Sequence, residues 1–147
     1  MFERLTHFFT HKTPQQLPLP EMDAKYALGT LLVRVAQVDR AYLFEEIEQI
    51  DRTLAAWNNI GPIEAAKMRA MCERLSEHSS SSEDLADLIR DHVDYAHRLD
   101  AAQALWRVAV ADKITDEREA ALIDLVENHL GVEQPDSAAA RAAAVIP

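Results

Sequence analysis

The sequence predicts an all-α protein of seven to eight helices, and three observations carry that expectation. Alanine, leucine and glutamate dominate a 147-residue chain that holds only three glycines, a bias that favours helix. Apolar residues recur at alternating spacings of three and four, which places them on one face of a helix. A stretch near the N-terminus is repeated near the C-terminus, as expected of two helix-turn-helix units related by approximate twofold symmetry.

Composition bounds the rest. A chain of this length suits one domain and can bury roughly 70% of its unfolded surface. The formal net charge is −10. Phosphate-backbone binding needs a basic face, so nucleic acid is not an expected partner, nor is an anionic membrane surface. Cys72 is the single cysteine, so there is no internal disulfide framework and the cytoplasm is the expected setting. Arg34 and Arg107 interrupt the best apolar stretches, so no integral membrane segment is expected. No basic start followed by an apolar run marks a signal peptide.

In chain order, Phe2, Leu5, Phe8 and Phe9 place an apolar side on a short helix over 1–11, read as packing on the domain. Pro14, Pro18 and Pro20 then make a stiff connector, so 1–20 is read as a leading segment and 21–147 as the helical domain. Ala24, Leu28, Leu31, Val35 and Val38 predict a helix over 21–38. Leu43, Ile47, Ile50, Leu54 and Trp57 predict the next over 42–57, with Glu45, Glu46 and Glu48 in its first turns. Asn58-Asn59-Ile60-Gly61-Pro62 is a break followed by a helix start. Met68, Met71, Cys72 and Leu75 form the core side of the fourth helix, with the methionines as adaptable filler.

Ser80 and Glu83 have the spacing of a capping box. The helix it opens carries Leu85, Leu88, Ile89, His92, Ala96 and Leu99 at helical spacing, with His92 read as a packed histidine. Asp94 and His97 sit one turn apart, a spacing able to ligate a metal. A di-iron bundle needs a second such pair, and the chain has none. The next helix is expected over 100–111, with Ala102, Leu105, Trp106 and Ala109 inward. Its successor holds Leu122, Leu125, Val126 and Leu130 inward and stops at Gly131, a good C-terminal cap. Pro135-Asp136-Ser137 opens a last alanine-rich helix over 138–144, which Val145 and Ile146 tether.

The repeat pairs Leu32-Val33-Arg34-Val35-Ala36-Gln37-Val38-Asp39, followed by Glu46, with Leu105-Trp106-Arg107-Val108-Ala109-Val110-Ala111-Asp112, followed by Glu119. Asp39 to Asp112 and Glu46 to Glu119 each span 73 residues. The second copy resembles the tellurite-resistance TerB-like family, whose Ala-x-Ala-Asp-Gly turn precedes a helix carrying a glutamate seven residues after the aspartate. Ala109, Ala111, Asp112 and Glu119 fill those positions, with Lys113 where the family has glycine; the first copy has Arg40 there. The resemblance covers about 28–132. It implies a TerB-like helical fold and a non-enzymatic module for protein partners in tellurite or stress-response complexes, as a monomer or weak homodimer.

An aspartate at the end of a helix faces the wrong pole of its dipole, so Asp39 and Asp112 need compensation. Together, the two turns would gather Asp39, Glu46, Asp112, Asp116 and Glu119, hard oxygen ligands suited to calcium, magnesium or manganese. The bland alternative is a charge cluster in which the aspartates cap turns and Arg40 and Lys113 neutralise them. An EF-hand is excluded, because position twelve is Ile50 counted from Asp39 and Ile123 counted from Asp112, where the loop needs glutamate. No glycine-rich phosphate loop, nucleophile elbow or His-Glu-x-x-His is present. A metal-dependent hydrolase using the acidic cluster is the alternative activity, and it requires a concave pocket beside the carboxylates.

Overall fold

A computed structural model describes residues 18–39, 41–111 and 116–145. The expected helix over 1–11, Arg40, Asp112, Lys113 and Ile146 lie outside the described residues. Seven helices and no strand occur among the described residues: α1 (Ala24–Gln37), α2 (Phe44–Asn58), α3 (Pro62–His78), α4 (Ser82–His92), α5 (Tyr95–Ala109), α6 (Glu117–Leu130) and α7 (Gln134–Ala144). None is long and apolar enough to cross a membrane.

Local chemistry sets most helix ends. Asp23 caps α1, its Oδ1 accepting from the Tyr26 amide at 3.0 Å, which satisfies one donor of the open first turn. Asn59, at φ 52°, ends α2 in the left-handed region, where asparagine is among the few tolerated side chains. Pro62 occupies the first turn of α3, and Gly131, at φ 71°, closes α6.

Two boundaries differ from the sequence reading. Ser81, not Ser80, caps α4, accepting from the Asp84 amide at 3.2 Å. The helix expected to run through Leu99 stops at His92: Val93 is extended and Asp94 caps a new helix by accepting from the His97 amide at 2.9 Å. Apolar periodicity continues across this break, so only the competing aspartate cap marks it. That cap also explains the Asp94–His97 pair, whose ring nitrogen lies 2.6 Å from the same carboxylate oxygen. His92 is exposed rather than packed, its Nδ1 3.0 Å from the Leu88 carbonyl.

α1 is the hub. It packs against α2, α3, α4, α5 and α6, and every residue from Ala27 to Val33 is buried. The sequence reading gave this helix a single stripe; the structure buries it on all sides. Gly29 makes the contact with α3 possible, because a Cβ there would lie on the Cys72 Sγ. Burial pushes the Cys72 thiol up to about 12, so this sulfur is packing rather than a nucleophile.

Arg34 fastens the end of α1. Its guanidinium donates to the Ser76 carbonyl at 3.0 Å, the Ser76 hydroxyl at 3.4 Å and the Ser82 hydroxyl at 3.2 Å. One side chain thus joins the last turn of α3 to the first of α4. Around this hub, Arg69 pairs with Asp51 at 2.6 Å between α2 and α3, and His129 meets Asp87 at 3.0 Å between α4 and α6.

α5 is the second hub, packing on α1, α2, α6 and α7. Trp106 is 1% exposed. Its indole N–H donates to Glu127 Oε1 at 3.0 Å, and the Arg141 guanidinium lies over its ring at 4.4 Å. The Tyr95 hydroxyl donates to Asp136 at 2.6 Å and holds the start of α7. Trp57, expected inward, is only half-buried, and Leu43 and Leu125 are 39% and 41% exposed. Leu43 falls outside α2 as its N-cap residue, which removes it from the stripe.

Two outcomes are expected from the Trp106 cluster. Trp106→Ala should lower stability by about 3–5 kcal/mol, read as a shift in denaturant midpoint; an unchanged midpoint would place this ring outside the core. Burial raises the Glu127 carboxyl above the ordinary glutamate range, outweighing the bond it accepts from the Trp106 indole. The native state therefore holds this proton more tightly than the unfolded chain does, and stability is lost as pH climbs from about 4.3 through the native value. Glu127→Gln keeps the acceptor for Trp106 and removes the charge. The variant should melt higher than the parent at pH 7 and converge with it in acid.

Candidate functional site

The two glutamates of the repeat occupy matching positions within their helices. Glu46 is the third residue of α2 and Glu119 the third of α6. Both are buried, at 1% and 0% exposure. A carboxylate there faces the positive end of its own helix, which offsets part of its desolvation cost. Glu46 also reaches back: its Oε1 accepts from the Leu43 amide at 3.0 Å. This is half of a capping box, because leucine offers no acceptor in return.

Asp39 is partly buried beyond the end of α1, and its Oδ1 accepts from the Ala41 amide at 3.0 Å. That bond closes a short turn of the kind aspartate favours. Asp116 caps α6. Its Oδ1 accepts from the Arg118 amide at 2.7 Å and the Arg118 Nε at 3.1 Å, and its Oδ2 accepts from the same guanidinium at 3.2 Å. These bonds hold the Asp116 carboxyl below the usual carboxylate range, the side-chain bond from Arg118 first among them. The Arg118 guanidinium is raised chiefly by Asp116, and Asp39 and Glu119 add to the same field. Asp39 from the first turn thus acts on the cation of the second.

Four of the five candidate ligands are therefore placed: Asp39, Glu46, Asp116 and Glu119, two at the rim and two buried at helix starts. Asp112 lies outside the described residues. Among the described residues no three histidine, cysteine, aspartate or glutamate side chains form a group that can hold a metal ion. Arg118 is the element the sequence reading missed. Its signal was available, because an arginine two residues after an N-cap aspartate can fold back onto it.

A second feature escaped the sequence reading. A shallow groove of about 1200 Å³ runs between α2 and α5, with Trp57, Val93, Ala104 and Val110 in its lining. It ends at Ala111, the residue before the second acidic turn. The break between α4 and α5 supplies one of its walls.

These features define a class: an all-helical module whose hairpins carry a buried glutamate at the start of the second helix. Residues 25–142 match the family described as tellurite resistance protein TerB, and the chain belongs to that family. No curated protein and no solved structure matches the chain.

One substitution series probes the first turn. Glu46→Ala removes the acceptor for the Leu43 amide and should cost about 1–3 kcal/mol, whereas Glu46→Gln keeps an acceptor and should cost less. Chemical denaturation of the three proteins gives the order; equal losses would show that charge, not the hydrogen bond, is what the site uses.

Proposed function

We propose that the chain is a non-enzymatic TerB-like helical module that docks a protein partner in the cytoplasm, as part of tellurite- or stress-response complexes, and responds to a divalent cation. The cation, calcium, magnesium or manganese, is taken by Asp39, Glu46, Asp112, Asp116 and Glu119. One observation carries this reading: Glu46 and Glu119, at the same position of two helices, are both buried, and the Asp39 and Asp116 carboxylates act on one guanidinium near Glu119. Arg118 holds the place of a cation in the described arrangement. Binding releases Asp116 from Arg118 and orders the carboxylates around the ion, so the turns change while the core stays fixed. The chain acts as a monomer or a weak homodimer.

Binding to the native state alone adds RT ln(1 + [L]/Kd), roughly 2.7 kcal/mol at a hundredfold excess over Kd. Calcium, magnesium or manganese at millimolar concentration should therefore raise the melting temperature by several degrees. Glu119→Gln, which keeps shape and removes charge, should abolish the rise. A flat profile for all three ions would eliminate the cation and leave Arg118 as a permanent counter-charge.

A further inference from the structure

We propose that the groove between α2 and α5 is the docking site for an amphipathic helix of a partner protein, basic at one end and acidic at the other. This rests on the reading of the chain as an interaction module and names the surface it uses.

The groove is built for a segment rather than a small molecule. Its lining is mixed: Trp57, Val93, Ala104 and Val110 give it an apolar patch, and Gln49, Thr53 and Gln103 set polar groups beside it. It spans α5 from the Asp94 cap to Ala111, about 25 Å at 1.5 Å per helical residue. That length takes a partner helix of about 16 residues. Two antiparallel helices with an apolar patch in the cleft between them accept a third along its apolar face. Antiparallel order follows from the Trp57 ring, near the end of α2, which meets the His97 ring, near the start of α5, edge-on at 6.2 Å.

The charges give the groove a direction. Asp94 and Asp100 line it near the start of α5, and Arg107 lines it near the end. Asp100 and Arg107 are seven residues and about 10 Å apart on one helix face. Among the described residues, neither has a hydrogen-bond or ion-pair partner, while most other groove charges are paired: Asp94 with His97, and Arg52 with Glu48. The contrast with the repeat is informative. Arg34, the counterpart of Arg107, is spent within the fold on Ser76 and Ser82, whereas Arg107 stays exposed at the groove. Two exposed charges of opposite sign with no partner among the described residues, flanking an apolar patch that holds a half-buried tryptophan, match a helix with a basic end, an apolar stripe and an acidic end. A second copy of this chain is a poorer match, because the net charge of −10 opposes self-association.

The test selects a phage-displayed library of random 16-residue peptides on the full-length chain, with calcium and with chelator. Enriched peptides are then titrated against Trp57 fluorescence; Trp106 is buried and does not report on the groove. The proposal expects peptides with separated basic and acidic ends. It also expects Asp100→Asn and Arg107→Gln each to weaken binding at least about fivefold, the scale of one lost charge contact, with unchanged melting because both side chains are exposed. Absence of enrichment over an unrelated acidic protein, or binding indifferent to both substitutions, overturns it. So does sedimentation showing a dimer that Arg107→Gln dissolves, which gives the groove to a second copy. Groove binding that is equal in calcium and chelator keeps this proposal and removes the cation response, so the two readings fail separately.

Discussion

The all-round burial of α1 is the constraint on which the structure depends. A helix buried from Ala27 to Val33 must be enclosed by several others, and five of the remaining six helices touch it. Close approach is required on every side, and Gly29 meets that demand where α3 crosses. The cost of enclosing Arg34 at the end of this helix, which lowers its pKa chiefly through burial, is offset by hydrogen bonds to the serines of the α3–α4 connection. The hub therefore fixes its neighbours by packing and by one directed polar anchor.

Enclosure of α1 also accounts for the unusual state of the acidic turns. α2 packs against α5 and α1 against α6, so the first turn of each helix that follows a hub enters the interior. Glutamates at those positions are then buried, and the helix dipole is the local field that favours them. Asp39 and Asp116 remain nearer the surface, where Arg118 sees both. The arrangement sets carboxyl groups in two layers, a buried one at the helix starts and an outer one paired with Arg118.

The repeat is chemically uneven, and its unevenness divides structural from interactive roles. Arg34 closes the α3–α4 connection, while Arg107 faces the groove. Trp106 meets α6 and α7, with Glu127 and Arg141 as its partners; Val33, its counterpart, is fully buried in the core and has no polar group to place. Neither difference follows from the repeated residues themselves.

Periodicity and capping chemistry determined the order of the seven helices among the described residues, because an apolar residue every three or four positions has no other compact use and Pro62, Gly131 and Pro135 act locally. The 73-residue spacing of Glu46 and Glu119 likewise marks positions that are both third in their helices. Tertiary structure decided what a one-dimensional pattern cannot hold. The break at Val93 was hidden because helical spacing persists through it. α1 was buried all round because five neighbours converge on it, which its own stripe does not record. Trp57 and Leu125 fell short of the interior because a periodic face is wider than the surface its neighbours cover. The groove belongs to the same category: its lining comes from α2, α5, the α4–α5 turn and Ala144 of α7, and only their packing brings Asp100, Arg107 and Trp57 to one surface.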